Sequence, residues 1–83
     1  MSKRDDLQET IKYFDKSIKR DKERIKRETD PAIIKYLKEN IEWKEAKKRI
    51  IEITLLILDA KERGEDTTLL QKELDDLKKK YPI

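Results

Sequence analysis

Few residues of this 83-residue chain could carry chemistry. It has no cysteine and no histidine, which removes disulfides, thiolate nucleophiles, the usual general base and the usual metal ligand. The hydroxyls of note are Ser2, Ser17 and a few threonines, and no histidine exists to activate them. Carboxylates are abundant, so pairs at helical spacing follow from composition alone. Di-metal carboxylate bundles need Glu-x-x-His motifs, which this chain cannot make. Phosphate-cradling glycine loops and zinc spacings are absent as well. The reading is a non-enzyme, with no catalytic residue, cofactor or metal.

Four features remain, each with a structural and a functional reading. Asp21 and Asn40 interrupt apolar seams. They can form a ligand or ion site, but a lone polar position in a helical seam more commonly sets register. Lys44 and Lys48 break another seam, where their stems can lie on apolar surface, with Tyr81 over that of Lys48. Trp43 is either core or rim packing, or an aromatic anchor for a partner. Lys12, Lys16, Lys19 and Lys26, flanked by Arg20 and Arg27, make a basic face, and the pI of about 9.1 agrees with a nucleic-acid contact. Asp15 and Glu23 sit within that face and the net charge is only +3, so a solvated helix surface is the better reading.

Helices must position these groups. Charged residues are 49% of the chain and the apolar set 35%, a balance that suits helices with narrow apolar seams or else disorder. One glycine and two prolines leave too little turn material for an all-β fold. Turn chemistry occurs at two places. In Thr29-Asp30-Pro31, Asp30 is a good N-cap and proline suits the first helical position, where its missing N–H is no loss. In Arg63-Gly64-Glu65-Asp66-Thr67-Thr68, the sole glycine can turn left-handed after a helix. Asp66 or Thr68 can cap the next helix, and Thr68 with Gln71 has capping-box spacing. Ser2 with Asp5 is a weaker start signal. The predicted helices span about 3–28, 31–63 and 66–80. Asp5 and Asp6 at one end, and Lys78, Lys79 and Lys80 at the other, match the helix dipoles.

Helix 1 carries one seam, Leu7, Ile11, Phe14, Ile18, Asp21 and Ile25, and helix 3 another, Leu70, Leu74, Leu77 and Tyr81. Helix 2 carries two. Seam A is Tyr36, Asn40, Trp43, Ala46, Ile50, Ile53, Ile57 and Ala60. Seam B is Ile33, Leu37, Ile41, Lys44, Lys48, Ile51, Leu55 and Leu58. Their centres lie roughly 150° apart, too wide for a compact triangular bundle, so helix 2 should be the middle of a layer. Size matching pairs seam A with helix 1: Phe14 opposite Ala46, Ile18 opposite Trp43, Asp21 opposite Asn40. Seam B then takes helix 3, with Leu74 opposite Leu55 and Tyr81 over Lys48. In that register helix 3 is too short to reach Ile33, Ile34, Leu37 and Ile41. These four, with Trp43 and with Leu56 between the seams, form the candidate interface, which a second copy or another protein helix would cover.

The chain resembles a computationally designed helical bundle. The resemblance rests on Asp30-Pro31, on Gly64 as sole C-cap, and on Asp66-Thr67-Thr68-Leu69 opening helix 3. It covers the whole chain but contains no diagnostic motif. The Ile-rich core, Asp21 and the seam lysines depart from it. A Lys/Glu/Ile-rich thermophile protein or a small phage protein would look similar. The expectation is an all-α single domain over residues 1–83 with three antiparallel helices, completed by dimerisation. Its role is structural or interaction-based, as a scaffold, assembly unit or binder. The alternative is a small nucleic-acid-binding or phage regulatory protein using the basic face of helix 1. The N-terminus shows no apolar targeting region and no run is long enough to span a bilayer, so a cytoplasmic location is expected. At 10.1 kDa the folded surface should be roughly 5,300 Å².

Overall fold

The computed structural model describes residues 3–81, so the Ser2 start signal lies outside the described residues. Three helices occupy almost all of it: α1 (Lys3–Arg27), α2 (Pro31–Glu62) and α3 (Thr68–Lys80). Their ends follow from the turn chemistry. Asp30 is extended, and its carboxylate accepts the Ala32 N–H at 3.0 Å, with Pro31 opening α2. At the other end of α2 the Glu65 N–H bonds the Ala60 carbonyl at 2.8 Å and the Gly64 N–H bonds that of Lys61 at 3.1 Å. Gly64 stands at φ 71° between them, a left-handed cap that an L side chain resists. Asp66 accepts both the backbone N–H of Thr68, at 3.0 Å, and its hydroxyl, at 2.6 Å. These two hydrogen bonds fix the turn ahead of α3, which starts at Thr68, two residues past the predicted 66. Thr68 is thus the first helical residue and not the cap, and the Gln71 N–H bonds the Thr67 carbonyl at 2.8 Å, so no capping box forms between Thr68 and Gln71.

As predicted, α2 runs uninterrupted and lies in the middle. Its 32 residues account for about 48 Å at 1.5 Å per residue, close to the 51 Å long axis of the molecule. The outer helices each pack on α2, and they do not meet each other. The molecule is accordingly a layer, 28 Å wide and 17 Å thick.

The pairing of seams is the reverse of the expected one. Leu74 packs with Ile50, Ile53 and Ile57, joined by Leu70 and Leu77, so α3 covers seam A. Seam B faces α1: Lys44 reaches Ser17 and Asp21, and Lys48 reaches Asp15. Asp21 therefore lies one helical turn from its expected partner Asn40. Trp43, predicted to meet Ile18, is 42% exposed, and Tyr36 of the same seam is 62% exposed. Tyr81 bonds Glu42 at 2.9 Å instead of covering Lys48.

Two physical reasons decide the exchange. Seam A is continuously aliphatic only in its second half, Ile50 to Ala60, a length that the 13-residue α3 can cover. Seam B has large aliphatics at both ends and needs the 25-residue α1. The lysines that interrupt seam B also require acids opposite, and α1 supplies Asp15 and Asp21 at the matching height. An unpaired ammonium against the apolar seam of α3 would lose its hydration without compensation.

Candidate functional site

The best-built polar cluster in the layer joins α1 to α2. The Lys44 ammonium donates to Ser17 Oγ and to an Asp21 carboxylate oxygen, both at 2.7 Å. The Lys44 and Asp21 side chains are 17% and 15% exposed, and Ser17 is buried. Sequence reasoning singled out Asp21, Lys44 and Ser17 separately and missed the trio, because the wrong seam was assigned to α1. The spacing of Ser17 and Asp21, one helical turn apart, was the signal available. Chemically the trio is a clamp. A serine hydroxyl that accepts from an ammonium, with a carboxylate completing the charge pair, is not arranged to be activated as a nucleophile.

Around this clamp α1 and α2 are laced by further ion pairs. Arg4 bonds Asp59 at 2.7 Å and Glu62 at 2.9 Å, Lys22 bonds Glu45 at 3.3 Å, and Lys48 bonds Asp15 at 2.5 Å. The Asp15 contact holds the Lys48 ammonium above the usual lysine range. Between α2 and α3, Arg49 bonds Glu73 at 3.0 Å. The Glu42 carboxylate, by accepting from Tyr81, pushes that phenol above its ordinary value.

The candidate interface residues do not share one surface. Leu37 and Ile41 are 1% and 9% exposed. They lie on the α2 face that carries Lys44 and Lys48, so α1 covers them, contrary to the expectation that they lack an intrachain partner. The remaining four divide between the two open faces of the layer. At ~100° per residue Trp43 and Leu56 point roughly 140° apart on α2. Leu56, 44% exposed, and the half-buried Ile34 fall on the charged face. There Lys19, Lys22 and Lys26 of α1 line a shallow groove with Glu45, Arg49 and Glu52 of α2.

Trp43 and Ile33 fall toward the other face. Along it α2 presents Trp43, Lys47, Ile51, Thr54 and Leu58. Ile51, Thr54 and Leu58 are only half-buried. The Lys47 ammonium lies 4.3 Å from the Trp43 ring centroid, a cation–π contact. From α1 the same face receives Tyr13, 65% exposed, whose ring meets Phe14 edge-on at 5.8 Å. Tyr13 points away from Lys22 on α1, as Trp43 points away from Glu45 on α2, which places both on this side.

Among the described residues no cluster of side chains could hold a metal ion, and no helix is long and apolar enough to cross a membrane. No family model, curated protein or solved structure matches the chain.

Proposed function

We propose that this chain is a non-catalytic interaction module that works through the apolar face of its layer. The observation that carries the reading is the architecture itself. With α1 and α3 apart, α2 is left open on the side of Trp43, Ile51 and Leu58. Aromatic and aliphatic side chains held half-exposed by a rigid scaffold are the usual composition of an interface core. The capping and charge pattern that resembles a designed bundle supports the same role, a scaffold that presents a face. The test replaces Trp43 and Leu58 by glutamine, singly, and measures thermal unfolding and, in solution dilute enough that the face stays uncovered, binding of an environment-sensitive apolar dye. A module keeps its fold and loses dye binding. Unfolding by the Trp43 variant would show that the ring serves the chain's own stability, and would refute the reading.

One observation favours a second use, polyanion contact by the outer face of α1. Lys12, Lys16, Lys19, Arg20, Lys26 and Arg27 are exposed and make no ion pair among the described residues, while Asp15 is engaged by Lys48. Glu23 remains within that face, so binding of DNA or RNA is weak, non-specific and steeply salt-dependent. A gel shift across salt concentrations tests it. Sub-micromolar binding at physiological salt, lost on reversing Lys16 and Lys19, would make nucleic acid the primary partner.

A further inference from the structure

We propose that the partner of the apolar face is a second copy of this chain, with α2 crossing α2 antiparallel about a two-fold axis at Ile50–Ile51. The proposal rests on the interaction reading above and names its partner.

Surface area is the first argument. The chain exposes 6371 Å², where a folded protein of 10.1 kDa exposes roughly 5,300 Å², an excess of about 1,100 Å². A standard protein interface takes about 800 Å² from each partner. The excess therefore matches one half of a dimer interface, and more than a single peptide-sized contact would need.

Self-complementarity is the second. On α2 the open stripe reads Asn40, Trp43, Lys47, Ile51, Thr54, Leu58 and Lys61. An antiparallel two-fold at Ile50–Ile51 sets Trp43 against Leu58 of the second copy, Lys47 against Thr54, and Asn40 against Lys61. Large apolar groups meet, and each lysine meets a neutral polar group. A parallel pair would set Lys47 on Lys47 and Lys61 on Lys61, with like charges in contact. Lys47 is also folded onto its own Trp43 ring, which leaves Ile51 clear at the axis.

α1 meets the same axis independently. The register set by Arg4–Asp59 and Asp15–Lys48 brings Tyr13 level with Ile50–Ile51, so the same axis passes by Tyr13. Asp6, Tyr13 and Arg20 are spaced seven apart and lie on one stripe of α1. A two-fold at Tyr13 lays Asp6 of one copy over Arg20 of the other, twice. The aromatic stands at the centre and opposite charges stand at the ends, as an isologous contact requires.

Because the chain lacks cysteine, crosslinking gives an unambiguous test. Single variants Ile51→Cys, at the axis, and Leu56→Cys, on the charged face, are oxidised at tens of micromolar and compared on a non-reducing gel. The unmodified chain is run in parallel by light scattering. The expected results are a doubled mass, about 20 kDa for a two-fold dimer, disulfide dimer from Ile51→Cys, and none from Leu56→Cys. Dimer from Leu56→Cys alone would move the contact to the charged face and overturn the proposal. A monomeric parent overturns it too, and the apolar dye then separates the two claims. A monomer that binds dye through Trp43 keeps the interaction reading and lacks only the self-contact. A monomer that binds none refutes both.

Discussion

Removing the Asp21 carboxylate should be the most damaging single change on the α1–α2 interface outside the aliphatic core. Asp21 and Lys44 are 15% and 17% exposed and bonded at 2.7 Å. Asp21→Ala leaves the ammonium with Ser17 Oγ alone in a largely dry setting. Breaking a buried pair from one side costs ~3–5 kcal/mol, and the residual access to water reduces this to ~2–3 kcal/mol here. A chain of this length has a total stability of only ~4–12 kcal/mol. At ~1 kcal/mol per molar urea for so small a domain, the unfolding midpoint should fall by ~2–3 M. Asn40→Ala is the internal control, since among the described residues Asn40 makes no side-chain hydrogen bond, and it should shift stability by under ~0.5 kcal/mol. Replacing the trio together, Ser17→Ala, Asp21→Leu and Lys44→Met, should restore the parent midpoint or raise it, because no charge then needs compensation. Urea denaturation followed by far-UV circular dichroism reads all three. An Asp21→Ala midpoint equal to the parent's, or an Asn40→Ala loss as large as that of Asp21→Ala, would refute the assignment of seam B to α1.

Three further outcomes follow from single features. Ile53 is fully buried among Ile50, Ile57 and Leu74, so Ile53→Ala should cost ~2–5 kcal/mol, whereas Leu69→Ala, at a residue 83% exposed, should leave the midpoint unchanged. Gly64→Ala should cost about 1 kcal/mol, from the left-handed backbone, since nothing beyond its own chain neighbours stands within 4 Å of where its Cβ would be; a thermal melt equal to the parent's would contradict the φ of 71°. In acid, the turn before α3 should loosen first. The Arg63 guanidinium holds Glu65 below the usual carboxylate range, and the Thr68 hydroxyl and N–H do the same for Asp66. A carboxyl with a depressed folded pKa adds stability above its unfolded value and loses it as pH falls through the folded one. Amide exchange in α3, corrected for its intrinsic pH dependence, should therefore show weaker protection in acid than near neutrality. The double variant Glu65→Gln with Asp66→Asn should lack that acid response.

Much of this architecture is decided locally. Asp30-Pro31 and Gly64 place two helix ends because a side-chain cap, a missing N–H and a left-handed residue act over a few bonds, whatever lies across the fold. The periodicity of α2 gives two seams roughly 150° apart, and that angle alone implies a layer with the long helix in the middle. Which neighbour takes which seam is not a local property. Ile50 to Leu58 is apolar around most of its circumference, so size matching of Phe14 to Ala46 fitted one register plausibly while a different one holds. The choice was made by length and by charge. Only the long α1 spans Leu37 to Leu58, and only α1 brings Asp15 and Asp21 to Lys48 and Lys44. Once seam B went to α1, Leu37 and Ile41 became core, Leu56 fell on the charged face, and Trp43 was left on the open one. Burial belongs to the pairing of helices, and a single helix's pattern sets only which residues share a face. The tertiary arrangement, with α1 and α3 on opposite sides of α2, is what leaves the Trp43 face of α2 uncovered.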